Sequence, residues 1–235
     1  MSEQPPERPP EEPLAPEVPV EPTQPAEPAE PAEPPPAQPA VEPSRRHPIR
    51  LVIEDDLKRS RLTVFFRPLL AIPHAIWVTL WKYAIYVVAF INWWVTLFGG
   101  RTPEDLHLFI SRYVRYQAHL SAYLSFLGNP YPTFFGREGT YPIDVEIDAR
   151  QRQRRLITLF RLILGIPAFL LAYVFGIVTA VVAIIGWFVC LILGRMPKGM
   201  RDLLAYCRRY RSQTDGYVYL LTDRYPSLAA PPPPS

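Results

Sequence analysis

Four histidines and two cysteines are the side chains that could ligate a metal or carry nucleophilic chemistry: His47, His74, His107, His119, Cys190 and Cys207. The body of the chain repeats itself at an offset of 94 residues, which places Tyr141, Ala168, Arg201 and Gln213 opposite the four histidines. None of the histidines recurs, and no pair shows a zinc spacing, so a metal centre built into each copy is not expected. Cys190 lies in an apolar run and Cys207 in the segment after it. A buried small side chain at Cys190 and a reduced surface thiol at Cys207 are expected, not a disulfide. Phosphate loop, dinucleotide fingerprint and nucleophile elbow are all absent from the sequence, and no nucleophile–base pair is visible. The expectation is a protein that is not an enzyme and takes no cofactor.

Arginine is what recurs. Arg67 and Arg161 occupy the same repeat position, as do Arg101 and Arg195; Arg112, Arg115, Arg208 and Arg209 follow on a later segment of each copy. A guanidinium near the start of an apolar run can snorkel to the membrane interface. It can also ligate a headgroup phosphate. These eight arginines are therefore the candidate lipid-headgroup residues. The charge balance agrees: residues 45–235 hold 24 of the 25 basic residues and 12 of the 22 acidic ones, a net +12. A basic body suits anionic lipid, and without an accompanying motif nucleic acid is not an expected partner.

The elements that must position these residues are two long apolar runs. Leu156–Leu193 carries one formal charge, Arg161, and Leu62–Gly99 carries two, Arg67 and Lys82. About 20 apolar residues cross a bilayer, so an integral membrane protein is expected. Each run holds a proline about a dozen residues in, Pro73 and Pro167, which bends or breaks a helix. Each run fits a hairpin of two short helices, either spanning or as a wedge that enters and returns from one leaflet, or one long helix after an interfacial start. The hairpin is the favoured expectation. Basic residues flank both ends of each run, which places both ends on the cytoplasmic side. Lys82 aligns with Gly176 near the middle, as suits a hairpin tip.

A short strand precedes each run. Ile49, Leu51 and Ile53 alternate with Arg50, Val52 and Glu54; Ile143, Val145 and Ile147 alternate with Asp144, Glu146 and Asp148. An amphipathic helix follows each run. In the first copy Thr102 is the expected N-cap and Pro103 the first helical residue, with Glu104 and Asp105 at the positive helix end. Leu106, Phe109, Tyr113, Tyr116, Leu120 and Tyr123 then form one stripe. Tyrosine and arginine on such a helix suit the headgroup zone.

Residues 1–44 hold sixteen prolines, ten Glu and a single Arg, Arg8. This composition cannot bury a core, and a disordered acidic arm is expected, serving as a spacer or docking a protein partner. Its start lacks the charged-then-apolar pattern of a signal peptide, so insertion is expected to use the first apolar run. The expected divisions are an arm over 1–46, repeat one over 47–140, repeat two over 141–228 and a proline-rich tail over 229–235.

The motifs Tyr141–Ile147 (YPIDVEI), Leu156–Arg161, Gly165–Pro167, Leu193–Pro197 (LGRMP) and Tyr219–Pro226 (YLLTDRYP) resemble a bacterial membrane family known as domain of unknown function 4389. The resemblance covers both repeats and is closer in the second. It implies a membrane protein and carries no activity with it. The sequence thus leads to a mainly α integral membrane protein of two tandem repeats, each a short strand, a transmembrane hairpin and an interfacial helix. The expected role is a scaffold for lipids or partner proteins in the cell membrane, multi-pass, with both termini cytoplasmic. A small oligomeric transporter or channel subunit is the alternative, with Asn92, His74 and the threonines on a water-filled path. A second copy of the chain is a candidate partner.

Overall fold

The computed structural model describes residues 47–229; the acidic arm and residues 230–235 of the tail lie outside them. The element order is β1 (Ile49–Ile53), α1 (Arg61–Leu70), α2 (Ile72–Gly99), α3 (Glu104–Leu124), β2 (Ile143–Ile147), α4 (Arg155–Leu193) and α5 (Lys198–Val218). The described chain is mainly helical, with one two-stranded sheet.

Neither apolar run folds back. Residues 155–193 form one helix through Gly176, and residues 72–99 form one helix through Lys82. The expected hairpins are therefore corrected to single long helices. Proline accounts for the one difference between copies. Pro68 and Pro73 each withhold an amide, and the helix is interrupted between them at Ala71. α4 carries Pro167 alone and runs through it. Both runs end on a left-handed glycine, Gly100 (φ 72°) and Gly194 (φ 66°), whose amides bond back to Thr96 and Cys190.

The repeats meet as a pseudo-two-fold pair. β1 and β2 pair antiparallel about Leu51↔Val145, which are equivalent residues at the 94-residue offset. The start of each long helix lies against the end of the other: Lys58 bridges Arg195, and Arg101 bridges Arg152. Trp187 Nε1 donates to the Val64 carbonyl at 3.1 Å and Trp93 Nε1 to the Thr158 carbonyl at 2.8 Å, the same bond in exchanged copies. The two long helices are thus antiparallel neighbours. A two-fold that exchanges two antiparallel neighbours stands perpendicular to the plane holding both.

Three layers stack along that axis. The long helices form the first. α3 and α5 run back along them as the second, with Trp81 of α2 against Tyr113 and Tyr116, and Phe175 of α4 against Tyr206 and Tyr210. The sheet is the third: Arg115 Nε donates to Val145 O at 3.0 Å, and Gln213 Nε2 to Ile49 O at 3.2 Å. A two-stranded sheet is marginal alone, and this helical layer supplies the surface it needs. Ile49, Ile143 and Val145 are buried. The opposite face of the sheet carries Arg50 paired with Glu146 at 3.0 Å and with Asp148 at 2.9 Å, all partly exposed.

The start of α3 departs from expectation. Pro103 is the N-cap and Glu104 the first helical residue. The Thr102 hydroxyl instead donates to Leu220 O at 3.0 Å, inside a buried cluster with Thr96 and Asn92.

Candidate membrane face and the arginines behind it

One stripe of each long helix is buried: Val64, Arg67, His74 and Ile85 on α1 and α2 with Ala71 between them, and Arg161, Ala168, Ala172 and Cys190 on α4. Cys207 of α5, expected at the surface, is buried too, because α5 packs along α4. The remaining circumference is apolar and exposed. Leu62, Phe65, Leu69, Ile76, Leu80 and Phe90 recur at helical spacing on one helix, and Leu156, Ile163, Ile166, Leu170, Ile177 and Ile184 on the other. Both helices are long and apolar enough to cross a membrane, and only 11% of the most apolar stretch of each is buried. A core helix of a water-soluble protein is mostly buried, and these two are not.

Arg67 and Arg161 sit on the buried stripe, and the fold explains why. Arg67 Nη1 donates to Tyr123 O at 2.7 Å and Gly128 O at 3.0 Å, and Nη2 to Asn129 O at 3.3 Å. Arg161 Nη1 donates to Tyr217 O at 2.6 Å and Thr222 O at 3.0 Å, and Nη2 to Gln153 Oε1 at 2.7 Å. The accepting carbonyls lie at and beyond the C-terminal turns of α3 and α5. Tyr123 O and Tyr217 O, in the last helical turns, lie at the negative end of the helix dipole, and each also accepts one cap amide, from Phe126 and Leu220. Each guanidinium also lies over a tyrosine ring, 4.3 Å from the centroid of Tyr123 and 4.7 Å from that of Tyr217. Both are 1% exposed, so neither snorkels to an interface in this fold.

Two residues that sequence reasoning passed over complete these caps. Phe126 and Leu220, equivalent across the repeat, hold positive φ after α3 and α5. Arg59 binds Phe126 O at 2.8 Å and Leu127 O at 2.8 Å, and its equivalent Gln153 binds Leu220 O. Arg59 is buried and paired with Asp55. The only available signal was its place in the basic stretch before the run.

The other candidates divide. Arg101, Arg195 and Arg112 are exposed, the first two at opposite ends of the long-helix pair. Arg115 is buried, bonded to Val145 O and paired with Glu138 at 2.7 Å. Arg209 lies over the Tyr206 ring and donates to Ala229 O. Two of the transport candidates are enclosed by protein: His74 Nδ1 is 2.7 Å from Tyr116 OH and its ring stacks on Phe134, while Asn92 bonds Thr96 and approaches Tyr219 O. Of the threonines, Thr79 is exposed and bonds back to Ala75 O.

Arg208 borders a cavity of about 410 Å³ between α2, α3, α4 and α5. Small residues on one side of α4, Ala172, Gly176, Ala180 and Ala183, make its apolar wall, and Arg208, Arg211 and Gln117 bring polar groups to it. Arg211 Nε meets Asp215 Oδ1 at 3.1 Å. Arg208 Nε approaches Ser212 Oγ at 3.4 Å, but its Nη2 has no hydrogen-bond partner, and Asp215 Oδ2 is 3.8 Å away. Burial pushes the Arg208 guanidinium down to about 10, which leaves it charged at neutral pH.

No curated protein and no solved structure matches the chain. The family model described as domain of unknown function (DUF4389) matches it twice, over residues 61–136 and 155–230, two spans that the 94-residue offset superimposes. The chain belongs to this family, as a tandem pair of its domains.

Proposed function

We propose that the protein is a non-enzymatic scaffold that lies flat in the cytoplasmic leaflet, organising lipids beneath it and presenting a polar surface to partner proteins. One observation carries the reading: the apolar face and the charged sheet lie on opposite sides of one slab, across the two-fold axis. A helix of 39 residues is about 58 Å long, against a hydrocarbon core of about 30 Å. Crossing would need a tilt of about 60°, beyond the usual range of about 0–40°. Crossing would also carry the Arg50–Glu146–Asp148 cluster, which lies over the middle of the pair, towards the bilayer centre. Lying flat removes both difficulties. The long helices then sink into one leaflet as interfacial amphipathic helices do, and the two-fold runs along the membrane normal. Of the eight candidate arginines, Arg101, Arg195 and Arg112 are the exposed ones that could meet anionic headgroups.

Spin labels at Ile72, Leu80, Phe90 and Phe98 of α2 and at Leu156, Ile166, Ile177 and Ile192 of α4, all exposed, in reconstituted full-length protein test this through collision with oxygen and a nickel chelate. Flat helices give one depth along each helix. Crossing helices give depths that pass through a maximum along each helix, and that profile would sink the proposal.

A further inference from the structure

We propose that the cavity beside α4 is a binding site for one anionic amphiphile, its acyl chain against the small-residue wall and its phosphate or carboxylate on Arg208 and Arg211. The inference rests on the membrane reading only for the source of the ligand. Three observations carry it. First, Arg208 is 8% exposed and borders the cavity with a free Nη2. A buried donor without a partner costs stability unless something completes it. Second, Arg208 and Arg211 share a single carboxylate, Asp215, so the cluster keeps a net positive charge in an apolar setting. A carboxylate or phosphate oxygen supplies both the missing acceptor and the missing charge. Third, the charge comes from one copy only, although Gln117 and Ser121 of the other copy also line the cavity. The repeat equivalents of Arg208, Arg211 and Asp215 are Val114, Gln117 and Ser121. Where the second copy lines the cavity with Phe175, Thr179 and Cys207, the first has the bulkier Trp81, Ile85 and Tyr113, none of which lines it. A packing need common to both repeats would not place charge and room together in one of them. The volume lies within the range of about 300–1,000 Å³ usual for small-molecule sites.

The test is a binding titration of delipidated full-length protein in neutral detergent, read by native mass spectrometry. The probes are dioleoyl phosphatidate, oleate, dioleoyl phosphatidylcholine and inorganic phosphate. The expected result is one phosphatidate or oleate per chain, at least tenfold tighter than phosphatidylcholine or phosphate. Arg208→Gln should weaken that binding at least tenfold. Gly176→Leu should do the same by filling the cavity, and it touches no charge. A Cβ at Gly176 meets nothing within 4 Å, so this variant keeps the site falsifiable if Arg208→Gln fails to fold, with circular dichroism as the check. Arg137→Gln, exposed and outside the cavity, should change nothing. Equal binding by phosphatidylcholine would overturn the charge reading. Equal binding by phosphate would make this a free-anion site, and binding unaltered by Gly176→Leu would put the chain elsewhere; either overturns the proposal. The titration needs no bilayer, so its failure leaves the flat placement standing, just as a crossing profile from the spin labels would leave this site untouched.

Discussion

Arg67 and Arg161 illustrate what a sequence can and cannot carry at the scale of a residue. Their recurrence marked them as important. Their partners, carbonyls 56 and 61 residues downstream, left no mark, because a backbone acceptor has no residue type. Replacing Arg161 by Met should lower stability by about 3–5 kcal/mol, since buried carbonyls at a helix end lose a charged donor. Urea unfolding in detergent measures it, and a loss under 1 kcal/mol would refute the capping role. His47 gives a pH dependence. Burial lowers its pKa most, the charges of Arg224 and Arg209 add to this, and backbone contacts at Ile49 and Tyr225 oppose it; the net is about 4. The unfolded imidazole titrates near 6.5, so the unfolded chain binds the proton first. Stability is full above about pH 6.5 and falls as pH drops towards 4, by about 3 kcal/mol. His47→Gln should flatten that window in thermal melts taken from pH 7 to 4.

Among the elements, the strands, the runs and the amphipathic helices were legible from periodicity, and the hairpins were not. Basic residues at both ends of a run ask for both ends on one side. A hairpin satisfies that, and so does a helix lying flat. Lys82 and Gly176 looked like tips because a charge and a glycine weaken a buried helix. Neither is fully buried: both are exposed, and Gly176 borders a cavity. The first run is interrupted at Ala71, and both runs stop at Gly100 and Gly194, where the chain needs positive φ. Gly194→Ala should cost about 1 kcal/mol from the left-handed strain, with Gly199→Ala, in the first turn of α5, as the conformationally ordinary comparison. Equal stability of the two variants would remove this account of the helix stop.

At the scale of the whole molecule, the 94-residue offset announced two copies but not the axis relating them. That axis became readable once Leu51 was found opposite Val145 and each long helix beside the other's far end. Ser60 and Arg154 are equivalent residues, both exposed, at opposite ends of the long-helix pair. The most direct measurement places single cysteines at these two positions, with Cys190 and Cys207 replaced by alanine, in sealed vesicles of known orientation. Labelling with a membrane-impermeant maleimide should reach both sites from the cytoplasmic side alone. Labelling of one site from each side would contradict a slab lying in a single leaflet.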